Sequence, residues 1–233
     1  MARATQSKKP VVAARRGPSV AMIVGIVVVV LFAAAVGFGV YRSQQSVAAA
    51  GAVVVPPNAT AAGVPVGNAN AKATIDIYLD FQCPICREYE AQSGATIDQF
   101  VASGQARVIY HPIAILDRSS STNYSSRASA ASGCAAAAGV FPQYVKLLYA
   151  NQPPEGGDGL PPEQLVSLGQ QAGAKGSDFT TCVSDNRYGA WTASLTDQSS
   201  RAGVTGTPTV KVNGQQVDLT DAALRQAVQA ANA

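Results

Sequence analysis

Residues 74–86 read Thr-Ile-Asp-Ile-Tyr-Leu-Asp-Phe-Gln-Cys-Pro-Ile-Cys, and this junction restricts the fold more than any other part of the 233-residue chain. Ile75, Ile77 and Leu79 alternate with Asp76, Tyr78 and Asp80, the two-residue period of a half-buried strand. Pro84 suits the first position of a helix, where its missing N–H costs nothing. A helix is expected from there through Ala102, stopping at Ser103-Gly104, with Ile97, Phe100 and Val101 toward the core. Residues 106–116 (ARVIYHPIAIL) give a second strand, interrupted by Pro112. Strand, helix and strand within about 40 residues is the length of a parallel βαβ unit.

The stretch beyond the second strand is helical. Residues 122–138 are rich in Ala and Ser, and Phe141, Tyr144, Val145, Leu148 and Tyr149 then repeat at helical spacing on one face. Pro161-Pro162 opens another helix with Leu165 and Leu168, Ser177-Asp178 caps a short one with Phe179, and Trp191 and Leu195 mark one more. Strands return at Thr207–Val212 and Gln215–Leu219, joined by Asn213-Gly214 as a type I′ hairpin turn. Thr220 caps a closing helix carrying Leu224 and Val228. The order is β-α-β, a helical block, then β-β-α.

Two cysteines with two residues between them at a helix start set the first sulfur against free N–H groups and the positive end of the dipole, which stabilise a thiolate. Cys83 is then the nucleophile, Cys86 its partner, and Pro84 stiffens the turn between them; exchange runs through a mixed disulfide. Two other readings compete. A zinc site calls for four Cys or His ligands, but Cys134 and Cys182 are far apart in sequence and His111 is the sole histidine, so no metal is expected. A purely structural Cys83–Cys86 bridge would close so short a loop that it removes little unfolded-state entropy. Cys134 and Cys182 are the reverse case: a bridge closing a loop of about 50 residues is worth about 3–4 kcal/mol in the chain-entropy model. A structural disulfide is expected there, although four cysteines allow three pairings and the crossed ones stay open. No cofactor beyond the Cys83–Cys86 disulfide is called for.

The formal charge of +3 conceals an asymmetry. Residues 1–42 carry Arg3, Lys8, Lys9, Arg15, Arg16 and Arg42 and no acid, which leaves eleven bases against fourteen acids in the remainder, a net of −3. The folded part therefore has no basic face for nucleic acid. Val20 to Tyr41 is an uncharged run of 22 residues, about 33 Å as a helix against a hydrocarbon core of about 30 Å. Five bases precede it, which by the positive-inside rule places residues 1–18 in the cytoplasm, a single-pass anchor at 19–41, and the rest outside. The alternative is a signal peptide cleaved near Ala48-Ala49-Ala50, giving a secreted protein. Residues 42–70, small and punctuated by Pro and Gly, read as a linker, and 71–233 as the main domain, with its helical insertion at about 118–202. An oxidising compartment suits four cysteines that can all pair.

Asp-Phe-Gln-Cys-Pro-Ile-Cys followed by Arg87-Glu88-Tyr89-Glu90, the helical block, and Gly203-Val204-Thr205-Gly206-Thr207-Pro208-Thr209 before Val-Asn-Gly resemble the DsbA-like branch of the thioredoxin superfamily. The likeness covers residues 70–233 and is greatest to membrane-anchored extracytoplasmic oxidoreductases of actinobacteria. It implies an α/β thioredoxin fold with an inserted helical domain, here preceded by one transmembrane helix. It also implies that Cys83 is an exposed nucleophile, Cys86 is more buried, and Thr207-Pro208 is a cis-proline loop pairing with an extended substrate strand. The implied substrates are reduced secreted or cell-envelope proteins, and the implied partner is a quinone-linked membrane protein of the DsbB or VKOR type that restores the disulfide. The sequence departs from the pattern at Ile85, where strongly oxidising members often carry histidine, so the Cys83 pKa is expected to be less depressed than in the extreme cases of the range, about 3.5 to 7.5, that such motifs reach. It departs again at Ile77, where many relatives hold a buried carboxylate. Asp80, Glu88 and Glu90 read as a solvated face and His111 as structural. A disulfide reductase or isomerase of the same fold is the alternative activity, and a non-catalytic binding or copper-handling module the alternative class; the latter is poorly supplied, with only Met1, Met22 and His111 as soft or imidazole ligands besides the cysteines.

Overall fold

Five strands form one mixed sheet: β1 (Val64–Val66), β2 (Ala73–Leu79), β3 (Ala106–Pro112), β4 (Thr209–Val212) and β5 (Gln215–Gln216), in the spatial order β1-β3-β2-β4-β5. This computed structural model describes residues 53–233, together with Ala34 and Gly37, which are helical. The expected cytoplasmic segment and anchor otherwise lie outside the described residues. Among the described residues no helix is long and apolar enough to cross a membrane.

The alternation in β2 does what its period requires: Ala73, Ile75, Ile77 and Leu79 are buried while Thr74, Asp76 and Tyr78 are half-exposed. β2 and β3 run parallel, from Ala73 opposite Ala106 to Leu79 opposite Pro112, and α1 (Pro84–Ala102) is their crossover. β3 stops at Pro112 rather than Leu116. Ile113 still donates to the Leu79 carbonyl, but the chain then leaves the sheet, and the N–H groups of Ile115 and Leu116 turn to the Asp80 carboxylate instead. β4 pairs antiparallel with β2, Ile75 opposite Val212 and Tyr78 opposite Thr209. The Asn213-Gly214 turn has φ of 48° and 82°, as a type I′ turn needs. β5 is only two residues long because the chain soon starts α7 (Asp221–Asn232), whose Thr220 cap accepts from the Ala223 N–H.

Between β3 and β4 come a 3₁₀ turn at Asp117–Ser119 and five helices: α2 (Tyr124–Ala137), α3 (Phe141–Ala150), α4 (Pro162–Gln171), α5 (Ser177–Ser184) and α6 (Gly189–Arg201). α2 is the hub, touching all four others, and its Ala, Ser and Gly side chains permit that close approach. α3 buries Phe141, Tyr144, Val145, Leu148 and Tyr149, each worth about 1.5–3 kcal/mol by transfer. A disulfide joins Cys134 of α2 to Cys182 of α5, with Cα atoms 6.0 Å apart.

The stretch read as a free linker is part of the fold from Pro56 onward. Thr60 and Gly63 bridge to each other, Trp191 Nε1 donates to the Thr60 carbonyl at 2.9 Å, and β1 pairs antiparallel with β3. Three residues around Pro65 are too short to show a period. Proline is tolerated there because β1 is an edge strand.

Candidate active site

Cys83 is the N-cap of α1, in extended backbone (φ −74°, ψ 118°), with Pro84 at the first helical position. The turn that carries it is built by Asp80. Its carboxylate is fully buried and accepts from Gln82 N–H at 2.9 Å, Ser125 Oγ at 2.6 Å, Ile115 N–H at 2.9 Å and Leu116 N–H at 3.0 Å. Its backbone carbonyl accepts from Cys83 N–H at 3.0 Å. Asp80 is therefore not on a solvated face; it ties the redox turn to the chain after β3 and to α2. Burial raises its pKa, against those four donors. Glu88 is exposed as expected, whereas Glu90 is half-buried and its carboxyl is raised by desolvation.

The sequence-predicted residues converge from both ends of the domain. Cys83, Pro84, Ile85 and Cys86 share the turn, and the Thr207-Pro208 segment, whose peptide bond is cis, lies over them. The Cys83 thiol donates to the Thr207 carbonyl at 3.2 Å across 124 residues of sequence. Cys134 and Cys182 lie apart, in the helical block. Cys83 is not the exposed sulfur the resemblance implies: it is 6% exposed against 3% for Cys86, because the Thr207 loop covers it. The exposed member of the motif is Ile85, at 49%. His111 is used elsewhere, with Nε2 at 2.9 Å from Asp76 Oδ1, Nδ1 facing the Ala62 carbonyl, and Tyr78 stacked on its ring.

The two sulfurs are held in different electrostatic states. Cys83 falls from the ordinary thiol value of 9.0 to about 6, chiefly through the hydrogen bond from Cys86, with help from the Thr207 side chain and the N–H groups of Cys86 and Ile85, and against partial burial. Cys86 moves the other way: burial raises it first, and the neighbouring Cys83 adds to that. One thiol is thus ready to ionise near neutral pH, while the other keeps its proton.

Contacts from α3 complete the site, and no sequence motif announces them. Tyr149 places its hydroxyl 3.4 Å from the Asp80 carbonyl and within hydrogen-bond reach of Cys86, and Gln152 reaches the turn from just beyond the helix. Tyr149 was legible only as a core residue, and no local pattern marks Gln152.

A thioredoxin family model matches residues 59–230. The chain belongs to the thioredoxin family. Within it the chain is DsbA-like. It is 30% identical to the oxidised DsbA of Mycobacterium tuberculosis, covering 72% of this chain and 91% of that one with a TM-score of 0.63. The reduced disulfide oxidoreductase DsbG of the same organism gives 28% identity, coverage of 72% and 91%, and a TM-score of 0.62. Among curated proteins it is 34% identical over 158 residues to the serine/threonine-protein kinase PknE of M. tuberculosis, spanning 64% of this chain but only 28% of that kinase.

Proposed function

We propose that the chain is an extracytoplasmic thiol-disulfide oxidoreductase that introduces disulfides into reduced secreted or cell-envelope proteins. The observation that carries this reading is the asymmetry of the pair, an ionisable Cys83 at the helix start beside a Cys86 held protonated. In the oxidised enzyme a substrate thiolate attacks Cys83 Sγ, breaks the Cys83–Cys86 bond and leaves Cys86 to take up a proton. A second substrate thiolate then attacks the substrate sulfur of the mixed disulfide and releases Cys83 as a thiolate. The substrate has lost two electrons, and the enzyme has gained them as a dithiol. A leaving thiol of lower pKa departs faster, so a Cys83 near 6 favours release of oxidised product.

The Thr207-Pro208 loop offers backbone groups to an extended substrate strand. The uncharged run at 19–41 anchors the domain outside the membrane, and a quinone-linked partner of the DsbB or VKOR type removes the two electrons. Oxidation of a reduced peptide by the purified chain, with a glutathione titration of the Cys83/Cys86 couple, tests the reading. A couple as reducing as that of thioredoxin, about −270 mV, would reverse the direction and make the chain a reductase. Cys86→Ser treated with oxidised glutathione is expected to accumulate the glutathione mixed disulfide on Cys83 with release of one reduced glutathione, seen by mass spectrometry.

A further inference from the structure

The redox turn is gripped from outside by a residue that no motif contains. Gln152 lies just past α3, its own backbone N–H bound to the Tyr149 carbonyl at 3.2 Å. Its side-chain Nε2 donates to two carbonyl oxygens of the turn, Phe81 at 3.0 Å and Cys83 at 2.9 Å. These two carbonyls decide how the turn is oriented. The Phe81–Gln82 peptide is held at both ends, its oxygen by Gln152 and its N–H by the Asp80 carboxylate. The Cys83–Pro84 peptide has no N–H, so its oxygen is its one polar handle. That oxygen receives the first helical bond of α1 from Arg87 only at 3.4 Å, which makes Gln152 its closer donor.

We propose that Gln152 is a positioning residue for Cys83: it fixes the carbonyls on either side of the nucleophile so that the following N–H groups stay aimed at its sulfur. This rests on the reading of Cys83 as the working thiol. The N–H groups concerned are those of Ile85 and Cys86, which belong to the next peptides of the same turn and help to hold Cys83 near 6. Without the Gln152 amide the Phe81 oxygen loses its donor and the Cys83 oxygen keeps only the long bond to Arg87. The peptides can then rotate, and the sulfur loses N–H groups that favour its charged form. Gln152 thereby makes the helical block part of the redox centre rather than a separate cover.

The test uses the full chain and three readouts: the pH profile of Cys83 alkylation in the reduced protein, its equilibrium with glutathione, and thermal unfolding. Gln152→Met keeps length and removes the donor without adding charge. It is expected to move the alkylation midpoint upward by about one pH unit, a tenfold loss of thiolate below it, and to shift the glutathione equilibrium toward the disulfide form. Gln152→Lys retains a donor long enough to reach both oxygens and is expected to hold the midpoint at or below the wild-type value. In the wild type, the side-chain amide resonances of Gln152 should titrate with the Cys83 midpoint, which needs no variant to fold. A Gln152→Met protein with an unchanged midpoint and equilibrium, whatever its melting temperature, or amide resonances that ignore Cys83, would overturn the proposal. Wild-type protein that exchanges with neither glutathione nor a reduced peptide would instead remove the functional reading itself.

Discussion

Cys83 and Cys86 are thiols three positions apart, whereas Cys134 and Cys182 are bonded across 48 residues of chain. Both pairs are buried, so burial does not separate their roles. What separates them is the length of chain each encloses and the groups around each sulfur. A bridge within one helical turn restrains the unfolded chain by only about half as much as one closing a loop of about 50 residues, so it opens and closes at less cost to the fold. A bridge from α2 to α5 restrains a long loop and lines a cavity together with Ala137, Ala138 and Phe179. The same element thus serves chemistry in one place and cohesion in the other.

The comparison breaks most completely if Cys83 is lost. Cys83→Ser is expected to abolish peptide oxidation while leaving the thermal unfolding of the reduced protein nearly unchanged below about pH 6, where its thiol carries no charge; residual turnover would mean that another sulfur does the work. The mirror experiment, Cys134→Ala with Cys182→Ala, is expected to cost about 3–4 kcal/mol in denaturant unfolding and to leave the Cys83 alkylation profile in place.

Protonation provides a third distinction. A thiol with a depressed pKa stabilises the folded reduced chain at pH above its ordinary value of 9.0 and stops doing so as the pH falls through about 6. The oxidised chain has no such thiol. Reduced-minus-oxidised stability, measured by denaturant unfolding of both forms, should therefore be flat below pH 6 and climb from there toward 9, until ionisation of Cys86 in the unfolded chain opposes it. The smallest change is at the exposed Ile85. Ile85→His adds a cationic donor beside the sulfur and is expected to lower the alkylation midpoint by about one unit, making the couple more oxidising without altering the melting temperature of the Cys134–Cys182 block.

Most of the frame was legible because it is written locally. The alternation of β2, the Cys-Pro-Ile-Cys helix start, the spacing of the α3 side chains and the Asn213-Gly214 turn each occupy a few consecutive residues. The misread parts depend on distant neighbours. Asp80 has the chemistry of a surface acid, and only the arrival of Ile115, Leu116 and Ser125 makes it a buried acceptor. β1 becomes a strand because β3 offers it an edge. Gln152, in a Pro- and Gly-bearing loop, acquires its role from carbonyls that lie 69 and 71 positions earlier. Backbone carbonyls have no sequence signature, so contacts made to them are invisible until the chain is folded.

A newly made chain emerges with four thiols, and its helical block is not cross-linked until Cys134 and Cys182 have given up two electrons to some oxidant. Under the proposed activity, the oxidised Cys83–Cys86 pair of a mature copy is one such oxidant. With the quinone-linked partner restoring its Cys83–Cys86 disulfide after each transfer, each finished molecule then helps to finish the next, so maturation in a fresh population starts slowly and accelerates as product accumulates. The first copies depend on an outside source, and later ones on their predecessors, which gives the kinetics of an autocatalytic start-up.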